Sequence, residues 1–163
     1  MMTRRHILQG SALAAFLPFL GRAAHAEAFE VRHSDAEWQA LLTPAQYAVL
    51  RQQATERPFS NSLMGESSPL LQEVRAGSYN CAGCALPVYS SKTKFDSGTG
   101  WPSFYAALPD AIGTRTDKGL LSTQTEVHCR RCGGHLGHVF DDGPQPTGKR
   151  HCINGLAMSF TAA

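Results

Sequence analysis

The chain has 163 residues, 42% of them apolar, which suits one globular domain built around one core. Its net charge of +2 owes much to the first 26 residues: without Arg4, Arg5 and Arg22, 12 basic side chains face 13 acidic ones, net −1. No basic patch with interleaved aromatics remains, so nucleic acid is excluded as an expected partner.

The chain opens on Thr3-Arg4-Arg5-His6-Ile7-Leu8, an apolar run from Ser11 to Leu20, and Ala24-His25-Ala26 as an A-x-A cleavage site. This is the pattern of a signal peptide over residues 1–26, and its paired arginines resemble a twin-arginine export signal. The apolar run is shorter than the roughly 20 residues that a membrane span needs. The expectation is a periplasmic protein with no membrane span and a single mature domain over 27–163.

Two short helices open that domain. Ser34-Asp35-Ala36-Glu37 is a capping box, followed by Trp38, Leu41 and Leu42. Thr43-Pro44-Ala45-Gln46 repeats the device with proline at the first helical position, followed by Tyr47, Val49 and Leu50. Residues 61–68 are polar and turn-rich, a connecting loop. From about residue 70 the segments shorten and Gly/Pro punctuation becomes dense, which predicts strands at 77–80, 88–90, 104–108, 111–117, 120–128, 139–140, 150–153 and 157–161. Asp117-Lys118-Gly119 is a hairpin turn by composition. No Gly-rich phosphate loop follows a strand, and no repeat or low-complexity tract is present. The expected fold is mainly β, two antiparallel sheets in a barrel-like core with the helices as an N-terminal extension.

The five cysteines divide four to one. Cys81/Cys84 and Cys129/Cys132 form two Cys-x-x-Cys pairs with 44 residues between them, and Gly83, Gly133 and Gly134 let the backbone wrap an ion. Four thiolates at this spacing suit a structural Zn²⁺, which would clip the two ends of the β-rich segment together. In an oxidising compartment the residues alone leave other pairings open: two disulfides, one redox-active pair, or an iron–sulfur cluster. Cys152 is the odd thiol. It lies in Lys149-Arg150-His151-Cys152-Ile153-Asn154, beside cations that favour the reactive thiolate, and shortly after His135-Leu136-Gly137-His138 and Asp141-Asp142.

Several ordered segments resemble the methionine-R-sulfoxide reductase (MsrB) family. They are Cys81-Ala82-Gly83-Cys84, Lys94 to Gly98, Gly100-Trp101-Pro102-Ser103-Phe104, His135 to Pro144, and Arg150-x-Cys152-Ile153-Asn154; the likeness spans roughly Trp38 to Phe160. The resemblance implies reduction of the R epimer of methionine sulfoxide, free or in proteins. Cys152 would be the nucleophile and would pass through a sulfenic acid. His135 and His138, with Asn154, would bind and protonate the sulfoxide oxygen. Trp101 would form an apolar wall against the substrate methyl, and Arg150 and Asp141 would tune the site. The family's zinc ligands fall on Cys81, Cys84, Cys129 and Cys132.

Two positions depart from the family pattern. Many members carry a resolving cysteine where this chain has Thr99, so an external thiol reductant, thioredoxin-like or small, is expected to regenerate Cys152. His151 stands where an aromatic residue is common, which would alter the pocket or the Cys152 thiol. A monomer is expected. The rival readings are a non-catalytic zinc-ribbon interaction module, which leaves His135, His138 and Trp101 unexplained, and a general thiol–disulfide oxidoreductase, which would need a reactive Cys-x-x-Cys pair.

Overall fold

A computed structural model describes residues 28–118 and 123–163; the expected leader over 1–26 lies outside them, as do residues 119–122. Both capping boxes form. Ser34 Oγ accepts from the Glu37 amide and the Glu37 carboxylate accepts from the Ser34 amide, opening α1 (Asp35–Leu41). Thr43 and Gln46 exchange the same pair of bonds at the start of α2 (Pro44–Gln52), which ends on Gln53 in the left-handed conformation. Such caps satisfy amides with no partner inside the helix, and each is worth about 1 kcal/mol. Trp38 from α1 and Ala45, Val49 and Leu50 from α2 are buried, whereas Leu41 is exposed. No described helix is long and apolar enough to cross a membrane.

The remainder is β structure. β1 (Ser62–Leu63) and β2 (Glu66–Ser67) make a small hairpin inside the stretch expected to be a loop, turned by Met64 and Gly65 at positive φ. The other strands are β3 (Gly77–Cys81), β4 (Pro87–Ser90), β5 (Lys94–Phe95), β6 (Ser103–Phe104), β7 (Ile112–Lys118), β8 (Thr123–Cys129), β9 (His135–Phe140), β10 (Arg150–Ile153) and β11 (Met158–Ala162). They form a three-stranded sheet of order β11-β3-β4 and a six-stranded sheet of order β5-β6-β10-β9-β8-β7, with antiparallel pairing throughout.

Three elements differ from expectation. The strand predicted at 104–108 stops at Phe104, because the amides of Tyr105 and Leu108 leave the ladder to donate to Thr93 and Val88 carbonyls. The strand predicted at 139–140 begins at His135. Asp117 and Lys118 are not turn residues: they pair with Gln124 and Thr123 inside the β7–β8 ladder, so the connection falls at 119–122, outside the described residues.

The alternation of β10 sorts its side chains to the two faces of the six-stranded sheet. His151 and Ile153 turn inward and are buried. His151 lies opposite Phe104, which stacks on Tyr89 at 4.4 Å and meets Tyr79 edge-on at 4.9 Å. These rings join the two sheets, with Tyr89 Oη 3.2 Å from His151 Nδ1. His151 is thus a core residue and does not shape a pocket around Cys152; burial, with Lys149 nearby, holds its imidazole down at about 4. Arg150 and Cys152 take the opposite face.

Candidate functional site

Across that outer face the registers align a row of side chains. Cys152 pairs with Ser103 on β6 and with His138 on β9, His138 pairs with Glu126 on β8, and Glu126 pairs with Arg115 on β7. Directly opposed residues in antiparallel strands share a face, so register alone gathers a thiol, a hydroxyl, an imidazole, a carboxylate and a guanidinium. His135 joins them through the irregularity at Val127/His128, its ring 5.3 Å from that of His138. Gly137 separates the two histidines because the chains approach closely there; any Cβ would strike the Cys152 carbonyl oxygen.

Carboxylates hold both rings. His135 Nδ1 lies 2.8 Å from Glu126 Oε1, both residues buried, and Glu126 is also bonded by Arg115. Burial would raise the Glu126 carboxyl, but the hydrogen bonds from His135 and Arg115 outweigh it and bring it down to about 2. His138 Nε2 lies 3.0 Å from Asp117 Oδ2. Each carboxylate fixes a tautomer and a ring orientation, leaving Nε2 of His135 and Nδ1 of His138 as the uncommitted nitrogens.

Arg150 forks onto Asp142 with two bonds of 2.8 Å and lies over the Phe140 ring. Asp141, the carboxylate expected to serve the site, is turned to solvent and pairs with Lys149 instead. One step along a strand end reverses the side chain, so the acid beside Arg150 is Asp142. Burial pushes the Cys152 thiol up, and Thr99, Arg150 and Ser103 act in the other direction. Thr99 Oγ1 is 3.8 Å from Cys152 Sγ, so the position expected for a resolving thiol does contact the sulfur.

Asn154 differs from expectation. Its Oδ1 accepts from the Glu56 amide at 3.1 Å, its Nδ2 donates to the Leu136 carbonyl at 3.2 Å, and the residue is buried. It braces β9 beside His135, with its oxygen and one amide N–H committed to the backbone. The sequence reading missed Glu56, and no motif marked it. Its buried carboxylate accepts from the amides of Gly155 and Leu156 at 2.5 and 2.9 Å and from Asn61 Nδ2 at 2.8 Å. Its carbonyl accepts from Trp101 Nε1 at 3.1 Å. Glu56 thereby ties the Asn154 turn to the Trp101 indole, and burial raises its carboxyl against the pull of those three donors. Glu126 was missed too, because only the β8–β9 register brings it to the histidines.

The other four cysteines meet at one point. Cys81/Cys84 turn the β3–β4 connection and Cys129/Cys132 turn the β8–β9 connection, one from each large sheet. The four Sγ atoms all lie within 4.8 Å of one another. The closest approaches run between the pairs, Cys81 to Cys132 at 3.6 Å and Cys84 to Cys129 at 3.5 Å. A tetrahedron of sulfurs 2.3 Å from an ion has edges of about 3.8 Å, whereas a disulfide needs about 2.05 Å, so the set fits an ion. The two turns share a backbone plan: the amide after each second cysteine or its neighbour closes onto the first, Ala85 to Cys81 and Gly133 to Cys129, both at 2.8 Å and both at positive φ. Arg51 and Arg131 donate to the carbonyls of Cys132 and Cys84, placing positive charge beside the sulfurs.

Of the residues expected at the site, Cys152, His135, His138 and Arg150 share the outer face, Trp101 and Asn154 join through Glu56, and Asp141 stays apart. The SelR domain model matches residues 42–162. The chain is 47% identical over 133 residues to the peptide methionine sulfoxide reductase MsrB of Methanosarcina mazei, covering 81% of this chain and 90% of that protein. It is 50% identical to the MsrB of Methanosarcina barkeri (80% and 87% covered) and 50% identical to that of Thiobacillus denitrificans (78% and 92%). Among solved structures, the Mis18 'Yippee-like' domain matches with a TM-score of 0.45 and 13% identity, covering 55% of this chain and 98% of that one, too loose a likeness to carry weight. With a family model over most of its length and relatives at about half identity, the chain belongs to the SelR-domain, or MsrB, family.

Proposed function

We propose that this protein reduces the R epimer of methionine sulfoxide, free or in oxidised proteins, through Cys152. The observation that carries the proposal is Cys152 opposite His138 on one sheet face, both half-buried, with His135 beside them and each imidazole tied to a carboxylate. The Cys152 thiolate attacks the sulfoxide sulfur while a proton reaches the oxygen. The hydroxyl so formed then passes to the Cys152 sulfur as the new S–S bond breaks with its electron pair left on the methionine sulfur, so methionine leaves and Cys152 becomes sulfenic acid. Charge grows on that oxygen in the transition state, so a ring that carries protons on both nitrogens, one held by its carboxylate, gives the other where it helps most. Trp101, held by Glu56, supplies the apolar wall that discriminates epimers by the methyl position. Two thiols from an external donor then return Cys152 to the thiol, forming their own disulfide and water; Thr99 has no sulfur to do it internally.

The four-cysteine cluster is assigned to structural Zn²⁺, which when bound supplies no step of the reaction but clips the two sheets next to β9. Residues 1–26 are assigned as a twin-arginine-type leader to the periplasm, on the paired arginines and the A-x-A site, with 27–163 a single monomeric domain. Turnover of separated R and S epimers with dithiothreitol tests the function. Activity on the R epimer that Cys152→Ser abolishes is the expected result. Inactivity on both epimers contradicts it.

A further inference from the structure

Beside Cys152 the loop from β5 to β6 carries hydroxyls that none of the roles above employs. Ser97 Oγ is 2.8 Å from Thr99 Oγ1 and 2.7 Å from Ser103 Oγ. Ser103 Oγ lies 3.2 Å from the Trp101 carbonyl oxygen, and Thr99 Oγ1 lies 3.8 Å from Cys152 Sγ. The result is a run Cys152–Thr99–Ser97–Ser103–Trp101 carbonyl, and Ser103 lies opposite Cys152 across the β6–β10 register, so both ends of the hydroxyl run border the sulfur.

Proton counting fixes what such a run can do. Each hydroxyl has one proton to give, the carbonyl can only accept, and the sulfur donates as thiol but only accepts as thiolate. With Cys152 protonated, donation runs from the sulfur to Thr99, then Ser97, Ser103 and the carbonyl. With Cys152 ionised, all three hydroxyls turn, and donation runs from Ser103 to Ser97 to Thr99 to the sulfur. Only O–H rotations separate the two settings. The Thr99 amide donates to Ser97 Oγ at 3.4 Å in either one.

We propose that Ser97, Thr99 and Ser103 form a reversible hydroxyl chain that turns its donors toward Cys152 whenever that sulfur is anionic, Thr99 and Ser103 facing the sulfur and Ser97 linking and positioning them. The role presupposes Cys152 as the nucleophile. It serves two moments of the cycle: the resting thiolate, and the thiolate released when an external dithiol resolves a mixed disulfide. In the latter the second reductant sulfur bonds to the first, the bond to Cys152 breaks, and its electron pair stays on Cys152. Bonded chains of donors reinforce one another in a partly buried site. The direction in which Thr99 and Ser103 move the Cys152 thiol agrees with this role.

Other charged or titratable groups on this face are Arg150 on β10 itself with Asp142, His138 with Asp117, and His135 with Glu126 and Arg115. β6 adds only Ser103, and the β5–β6 loop adds Asp96, whose carboxylate accepts from the Gly98 amide. All are unchanged in the variants that test the chain. The pH profile of iodoacetamide alkylation, read on the Cys152 peptide by mass spectrometry in the metal-loaded full chain, reports thiolate without any sulfoxide present. Thr99→Val should move the midpoint up by about one pH unit, roughly a tenfold slower alkylation near pH 7. Thr99→Ser should restore the parent profile and Ser97→Ala should shift it part of the way, so Ser97→Ala still decides if Thr99→Val fails to fold. A Thr99→Val or Ser97→Ala profile superimposable on the parent, or a Thr99→Ser shift equal to that of Thr99→Val, overturns the hydroxyl chain. An inactive enzyme that still shows the shifts would instead remove the reductase assignment and leave the chain standing.

Discussion

Glu56 and Glu126 show how two buried carboxylates can serve one face without touching the reacting sulfur. Glu56→Ala would strand the amides of Gly155 and Leu156 and the Asn61 amide, each costing about 1–3 kcal/mol when buried without a partner. Urea unfolding should show a loss of about 3 kcal/mol or more, and in a Trp38→Phe background the Trp101 emission should shift as the backbone carbonyl that accepts from its indole is no longer anchored by the Glu56 side chain. Glu126 carries the pH dependence. Its folded carboxyl is depressed to about 2, so its contribution is complete above the ordinary carboxylate range near 4.5 and is lost as pH falls through about 2. Glu126→Gln should therefore be less stable than the parent by roughly 2–3 kcal/mol at pH 6, with the gap closing between about pH 4.5 and 2. A gap that stays constant over that range would contradict the ion-pair origin. Neither glutamate was legible in the sequence. A carboxylate becomes a site residue only when a register or a distant turn brings donors to it, and both facts are tertiary. Cys152, His135 and His138 were legible because thiol and imidazole types cluster along the chain itself. Asn154 and Asp141 lie in stretches the sequence marks, but hydrogen bonding makes Asn154 a brace of β9 and strand alternation puts Asp142, not Asp141, on Arg150.

At the scale of elements, the helix starts and the longer strands are readable in the sequence, whereas the shortest strands are not. Capping boxes are local, so Ser34 and Thr43 marked α1 and α2 with the correct starts. The strands β5 and β6 are two residues each and owe their existence to neighbours, which no window of sequence can supply. The cysteine turns sit between these cases. Gly133 at φ 68 packs against Phe29, which would clash with any Cβ, while Ala85 adopts nearly the same backbone at φ 58 in the matching turn. Gly133→Ala should destabilise by more than about 1 kcal/mol, and Ala85→Gly should lie within about 0.5 kcal/mol of the parent, since relief of strain offsets the added chain entropy. Thermal unfolding of the two variants checks this pair, and equal losses at both positions would contradict the shared-turn geometry.

On the scale of the whole molecule, the four-cysteine cluster joins the connections of two sheets that also meet through the Tyr79, Tyr89 and Phe104 rings. It also sits three residues before His135, where β9 begins. Metal removal should therefore act on activity through order in β9 as well as through stability. Chelation under denaturing conditions should release about one zinc per chain and lower the unfolding midpoint, whereas a protein that yields no metal and shows four oxidised thiols would remove the clamp.

The central claim is that one sulfur, Cys152, performs the reduction alone while the other four are committed elsewhere. Single turnover without reductant tests it most directly. One equivalent of R-methionine sulfoxide should yield about one methionine per chain, and the Cys152 peptide should gain one oxygen that a sulfenic-acid trap captures. Absence of methionine, or a native disulfide from Cys152 to any of Cys81, Cys84, Cys129 or Cys132, would contradict it.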